Sequence, residues 1–159
     1  AQGGNRLEHL AQSRGKVYPA DLTKPRLGPG GEGYGRLGLK LGALVHNADN
    51  VNHVQDYETL GKDNVAPVFE CLKLCEGRSK KIFHFVSTLS ACSAIDAAGN
   101  VLERPADATP PIYIKNGYNL SKGVAERILQ CARDQGAWVN IDRPGNIAFD
   151  SVTGVCQPQ

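Results

Sequence analysis

Methionine is absent from the 159 residues, and tryptophan occurs once. A chain with no methionine lacks an initiator, so it reads as processed or, preferably, as an internal piece of a longer protein. Net charge is scarce too. A formal +2 is too small to steer a polyanionic partner. No apolar run reaches the roughly 18 residues of a membrane helix. The opening Ala1-Gln2-Gly3-Gly4 has neither a basic region nor an apolar stretch, so it is no secretory signal. Cysteine is present at 71, 75, 92, 131 and 156, but no Cys-x-x-Cys pair or His-x3-5-His partner accompanies it. That argues against zinc and for small buried thiols in a reducing cytoplasm. What remains, 41% hydrophobic and 21% charged residues, is the composition of an ordinary soluble globular domain. It excludes collagen-like, disordered and strongly basic nucleic-acid-binding classes.

Apolar periodicity lays out the elements. Residues 1–14 fit the end of an amphipathic helix, and Lys16-Val17-Tyr18 a short strand. Residues 23–38 are rich in Gly and Pro and read as a loop. Inside lies Gly28-Pro29-Gly30-Gly31-Glu32-Gly33, a formal Gly-x-Gly-x-x-Gly. It is rejected as a dinucleotide fingerprint, because five glycines in eight residues after a proline disfavour the required helix start. Leu41–His46 reads as a buried parallel strand. Residues 55–76 show a helical period that Pro67 kinks or splits. Lys81–Val86 is the strongest strand, 93–112 a loop, 117–135 a helix with Val124, Ile128, Leu129 and Ala132 inward, and Trp138–Ile141 a strand. This alternation predicts an α/β fold: a doubly wound parallel sheet of Rossmann type. Ligands bind such sheets at the carboxyl ends of the strands. Asp21, His46-Asn47, Ser87-Thr88 and Arg143-Pro144-Gly145 all fall there.

Tyr118 and Lys122 are one helical turn apart and share a face. A cation beside a phenol lowers its pKa, and a tuned tyrosine can protonate a developing alkoxide. The pair alone is a common coincidence. It gains weight from Ser87-Thr88, about 30 residues upstream at a strand end. Hydroxyls there, opposite a Tyr and a Lys, can bind a carbonyl oxygen and a ribose together. His46, His53 and His84 read as packing or supporting histidines rather than catalysts. Arg78-Ser79-Lys80-Lys81 reads as a solvated turn, with docking of an acidic carrier as the alternative.

Five blocks in order carry a resemblance: Val45-His46-Asn47-Ala48; Asn64-Val65; Val86-Ser87-Thr88-Leu89-Ser90; Tyr118-Asn119-Leu120-Ser121-Lys122 with Glu126; and Arg143-Pro144-Gly145-Asn146-Ile147. Together they resemble the extended short-chain dehydrogenase/reductase superfamily. The wording is closest to the terminal thioester reductase domains of nonribosomal peptide synthetases, relatives of carboxylic acid and fatty acyl-CoA reductases. The resemblance implies NADPH-dependent reduction of a carrier-bound acyl or peptidyl thioester to an aldehyde, or on to an alcohol. It implies that Thr88 bonds the substrate carbonyl, Tyr118 protonates its oxygen, and Lys122 holds the nicotinamide ribose. It places Asp21 and Leu22 at the adenine, Asn47 and Ala48 along the cofactor, and Pro144, Gly145, Asn146 and Ile147 at the carboxamide. The implied partner is a carrier protein with a phosphopantetheine arm in the same polypeptide. Other readings are another extended reductase, such as a free-standing acyl-CoA reductase or a sugar-nucleotide enzyme, or a non-catalytic α/β remnant or binding module.

The sequence departs from that pattern by absence. The family's first two strands, with the Gly-x-x-Gly-x-x-Gly phosphate turn, have no counterpart, nor has its downstream substrate region. Residues 1–159 therefore read as a partial domain, expected to fold poorly and not to turn over if expressed alone. Asp49 stands where a small residue is usual and puts a carboxylate near the cofactor. Gly35, Gly61 and Gly123 stand where helix formers or a bulky residue are expected.

Overall fold

A computed structural model of the chain describes residues 13–28, 30–91, 96–104, 116–147 and 149–155. The expected N-terminal helix and the 93–112 loop lie largely outside these residues, as do Cys92 and Cys156. Ser13 and Arg14 are helical, and a turn around Asp96 is seen. The elements run α1 (Gly30–Lys40), β1 (Ala43–His46), α2 (Tyr57–Asn64), α3 (Ala66–Cys75), β2 (Ile82–Val86), α4 (Gly117–Asp134) and β3 (Val139–Asp142). Short 3-10 turns occupy Pro25–Leu27 and Leu89–Ala91.

The three described strands form one parallel sheet in the order β1-β2-β3. Leu44 pairs with Phe83 and His46 with Phe85, while Phe83 pairs with Val139 and Phe85 with Ile141. Both crossovers step in the same direction, and right-handed crossovers then place α3 and α4 on one face. That face holds the core. Val68, Cys71, Leu74 and Cys75 of α3 meet Phe83 and Phe85 of β2, Ala125 and Leu129 of α4, and Val139. The Rossmann-like parallel α/β reading is thus what the structure shows. On the opposite face Val45 is 66% exposed, beside His84 and Asn140 in register.

Pro67 splits the 55–76 helix as its chemistry requires. Its ring removes a donor, so α2 ends at Asn64 and α3 starts afresh with the proline in its first turn. Cys71 and Cys75 share the buried face of α3, and burial raises their thiols to about 12 and about 11. They are inert packing groups. Cys131 is an exception, being exposed.

Two expectations fail. Lys16–Tyr18 is irregular and Val17 is 91% exposed. An isolated three-residue segment has no ladder to hold it extended, and no described strand lies alongside. The larger error is the 23–38 loop, which contains most of α1. A helical glycine costs about 1 kcal/mol relative to Ala, but packing outweighs propensity here. Tyr34, Leu37 and Leu41 lie against the core, and the Tyr34 hydroxyl donates to the Glu70 carbonyl at 3.0 Å. A Cβ on Gly38 would sit 3.6 Å from Leu74 Cδ1, so α1 and α3 run close together. The Gly28–Gly33 run still is no dinucleotide turn, since a 3-10 turn rather than a strand precedes it. Among the described residues no helix is long and apolar enough to cross a membrane.

Gly117 opens α4 at a point of contact with the segment before α2. A Cβ there would lie 2.4 Å from the Gln55 carbonyl oxygen and 2.5 Å from the Asp56 carbonyl carbon. Gly117→Ala is expected to loosen this junction by about 1–3 kcal/mol. Hydrogen exchange of the first α4 turn in the complete polypeptide reads the loss; unchanged protection contradicts the contact.

Candidate functional site

The carboxyl ends of β1, β2 and β3 bring three segments to the N-terminal half of α4. After β1 come Asn47, Ala48 and Asp49; after β2, Ser87 and Thr88; after β3, Arg143 to Ile147. Asn116 caps α4, accepting from the Tyr118 and Asn119 amides at 3.0 and 3.2 Å. The cap sets the helix phase, so Tyr118, Lys122 and Glu126 follow one another up the face turned to the sheet.

That face differs from the expected one. Leu129 is buried, but Asn119, Ser121, Lys122, Ala125 and Glu126 are buried with it, while Val124, Ile128 and Ala132 are only partly covered. Ser121, Lys122 and Glu126 each find partners there. Glu126 accepts from Arg143 in a fork, Nε to Oε1 at 3.0 Å and Nη2 to Oε2 at 2.6 Å. Ser87 Oγ donates to the same carboxylate at 2.5 Å, and the Ser87 amide donates to the Asp142 carbonyl at 2.7 Å. Ser87 is therefore committed to holding the strand end. Thr88 Oγ1 accepts from the Ser90 amide at 3.4 Å, which leaves its own proton for another acceptor.

Asn64, fully buried at the end of α2, is a second tie. It donates to the Asn50 carbonyl and to Ser121 Oγ, both at 3.1 Å, and accepts from the Asn50 amide at 2.8 Å. Ser121 Oγ in turn donates to the Tyr118 carbonyl at 2.7 Å. The loop after β1 is thereby fastened to α4.

Lys122 is 1% exposed in its side chain. Its ammonium is paired with Asp49 Oδ2, donates to the Val86 carbonyl at 2.5 Å, and lies 4.4 Å from the Phe85 ring centroid. Burial lowers its pKa, with Asp49 the main opposing influence. Tyr118 is half buried, its ring edge-on to His53 with centroids 5.5 Å apart. Burial and then the Asp49 charge push the phenol above its ordinary value. The expected lowering by Lys122 is reversed, because Asp49 neutralises that cation and itself repels a phenolate. A raised phenol keeps its proton at neutral pH, as an acid requires.

The histidines divide three ways. His46 is buried edge-on to Phe85, accepts weakly from the Ala48 amide at 3.5 Å, and has a buried, unpartnered Nε2. Burial lowers its pKa. His84 faces the uncovered side of the sheet, 3.8 Å from Asp142. His53 is exposed yet touches Tyr118; nothing in its sequence context pointed there.

Asn47, Ala48 and Pro144 to Ile147 are exposed at the strand ends, and Gly145 lies close to Leu89. Asp21 and Leu22 are placed differently. Their turn folds onto itself, Asp21 accepting from Thr23 and pairing with Lys24 at 3.1 Å, and no described strand precedes it. Beside the site opens a cleft of about 780 Å³ lined by Val86, Leu89, Leu102, Arg104, Arg143 and Pro144.

A buried carboxylate oxygen without a partner tests the fit to a nucleotide. Asp49 Oδ1 is such an atom, beside the Lys122 ammonium. An ammonium donor and a carboxylate acceptor side by side are of the chemical kind that vicinal ribose hydroxyls pair with, and both are buried here. Among the described residues no group of three or more His, Cys, Asp or Glu could hold a metal.

Residues 3–159 match the family described as male sterility protein, an NAD-binding family. The chain belongs to this family. With it come relatives in peptide assembly. The isonitrile lipopeptide synthase of Streptomyces coeruleorubidus is 36% identical over 148 residues, 93% of this chain and 10% of that protein. A linear gramicidin synthase of Brevibacillus parabrevis is 36% identical over 138 residues, 86% of this chain and 3% of that protein. The terminal R domain of the myxalamid pathway superposes with a TM-score of 0.76 at 29% identity, covering 94% of this chain and 40% of that domain. This male sterility family chain thus spans a tenth or less of both synthases. Its parallel fold and its relatives place it in the extended short-chain dehydrogenase/reductase superfamily.

Removing a buried carboxylate takes the acceptor away from both of its donors. Glu126→Ala is expected to cost about 3–5 kcal/mol by breaking the fork with Arg143 and the bond from Ser87. Local unfolding measured by hydrogen exchange at α4 and β3 checks it, and a loss below about 1 kcal/mol contradicts the pairing.

Proposed function

We propose that this chain forms the nicotinamide-ribose and catalytic half of a reductase acting on a carrier-bound acyl or peptidyl thioester. NADPH is the proposed reductant, and the product is an aldehyde or, after a second reduction, an alcohol. The partner is a carrier protein with a phosphopantetheine arm in the same polypeptide. One observation carries the reading: on the helix face that also bears Tyr118, the Lys122 ammonium donates to the carbonyl of Val86, two residues before Thr88 at the end of β2. The synthase relatives supply the substrate class.

A bound nicotinamide supplies hydride. The chain's own groups handle the oxygen. Thr88 Oγ1 donates to the thioester carbonyl, and the Tyr118 phenol donates as charge grows on that oxygen. One such donor is worth about 3–4 kcal/mol of barrier. Expulsion of the thiol from the tetrahedral adduct leaves the aldehyde. Ser87 takes no part, since Glu126 holds its hydroxyl. The residues proposed to line the cofactor are Asn47, Ala48, Tyr118, Lys122 and Pro144 to Ile147. Asp21 and Leu22 are proposed for the adenine end, on family resemblance alone.

Tyr118→Phe in the complete polypeptide is expected to lower turnover about 10²–10⁴-fold while cofactor binding changes little. A raised phenol loses its proton only above the ordinary tyrosine range. Wild-type kcat therefore holds through neutral pH and falls only in strong alkali. Steady-state rates with NADPH, NADH and a carrier-bound thioester check both points; undiminished turnover in the variant overturns the role of Tyr118.

A further inference from the structure

Asp49 is the one residue at the site whose chemistry neither the fold nor the proposed reaction demands. It lies in a loop at the end of β1, its side chain is 8% exposed, and its neighbour is a buried lysine. Burying two charges costs several kcal/mol each, which attraction repays only in good geometry. Three features show that the geometry is built. The next residue, Asn50, is held at both its amide and its carbonyl by Asn64, at 2.8 and 3.1 Å. Asn64 is itself bonded to Ser121 on the helix that carries Lys122. The ammonium has a second anchor in the Val86 carbonyl, so it is fixed from two sides.

Among the described residues Lys122 is ion-paired with Asp49, and the Glu126 charge acts on it more weakly. Its packing neighbours that titrate or carry charge are Asp49, His46 on β1, and Tyr118 and Glu126 on its own helix. Glu126 is occupied by Arg143 and Ser87. Burial keeps His46 neutral near pH 7, since its pKa lies below the ordinary histidine value. Tyr118 is a neutral phenol. Without Asp49 the ammonium would keep, among the described residues, the Val86 carbonyl, the face of Phe85 and the more distant Glu126 charge.

We propose that Asp49 is the positioning residue of the site: its carboxylate holds Lys122 as an ammonium at the strand ends, and so sets the upper pH limit of nicotinamide-cofactor binding. The inference rests on the proposed reductase reading, in which Lys122 donates to the ribose. Asp49 Oδ2 restrains the amine, while Oδ1 is buried beside it with no partner among the described residues. The direction follows from linkage. An ammonium partner that favours the charged form raises the lysine pKa, so binding that needs the ammonium survives to higher pH. Loss of Asp49 removes the main influence that opposes desolvation, with the Glu126 charge the smaller one left, and brings the alkaline limit down.

The test measures the dissociation constant of NADPH from pH 6 to pH 10, by nucleotide fluorescence, with the complete polypeptide. Wild type, Asp49→Asn and Asp49→Ala are compared, each alone and combined with Lys122→Met. Asp49→Asn is nearly isosteric and guards against misfolding in Asp49→Ala. The expected result is a limit at least one pH unit lower in Asp49→Asn, with binding at pH 9 weakened about tenfold. Lys122→Met should abolish the pH dependence in either background. A limit unmoved in folded Asp49→Asn overturns the inference and leaves the reductase reading standing. A wild-type protein that binds neither NADPH nor NADH overturns both. A merely structural Asp49 would weaken binding equally at every pH and leave the limit in place, which also overturns it.

Discussion

The fork between Glu126 and Arg143, with Ser87 as third member, is the interaction on which the arrangement of the site depends. It joins the middle of α4 to the end of β2 and to the segment after β3. Those are three of the four places that contribute functional side chains. A fully buried carboxylate is tolerable only when its lone pairs are filled, and here a guanidinium and a hydroxyl fill them. The directionality of these bonds does what apolar packing cannot. It sets the rotation of α4 about its axis, and with it the side of the helix on which Tyr118 and Lys122 stand.

Asn64 performs the corresponding task for the remaining segment. A proline ends α2 just where a buried side-chain amide can reach both the loop after β1 and the next crossover helix. Four hydrogen-bonding groups, from Asn50, Asn64 and Ser121, thus tie that loop to α4. The catalytic reading is a consequence of this framework. In the proposed reaction Tyr118 and Thr88 act on one oxygen, which requires the strand ends and the helix to be held at a fixed distance. Electrostatics within the frame assign their roles. Burial first, and then the Asp49 charge, hold the Tyr118 phenol in its protonated form.

Much of this was legible in the chain. Parallel strands announce themselves as apolar runs, and the spacing of Tyr118 and Lys122 puts them on one face whatever the context. Pro67 breaks a helix by its own covalent structure. The residues at 46–47, 87–88 and 143–145 could be assigned to strand ends because the strands themselves were evident. Less legible was α1. Its glycines oppose a helix locally, and only the contacts of Tyr34, Leu37 and Leu41 with the core reverse the balance. The buried polar stripe of α4 was equally hidden, since Lys, Glu and Ser ordinarily mark an exposed face.

The sequence alone therefore determined the succession of elements, the parallel α/β class and the family, because these depend on local periodicity, covalent constraint and ordered motifs. Tertiary structure alone decided which of two adjacent hydroxyls is free, since Ser87 meets Glu126 and Thr88 does not. It decided that Lys122 faces Asp49, 73 residues away in the chain, and that the phenol is raised rather than lowered. Such outcomes rest on distances and burial between groups remote in sequence, and no pattern along a single chain encodes them.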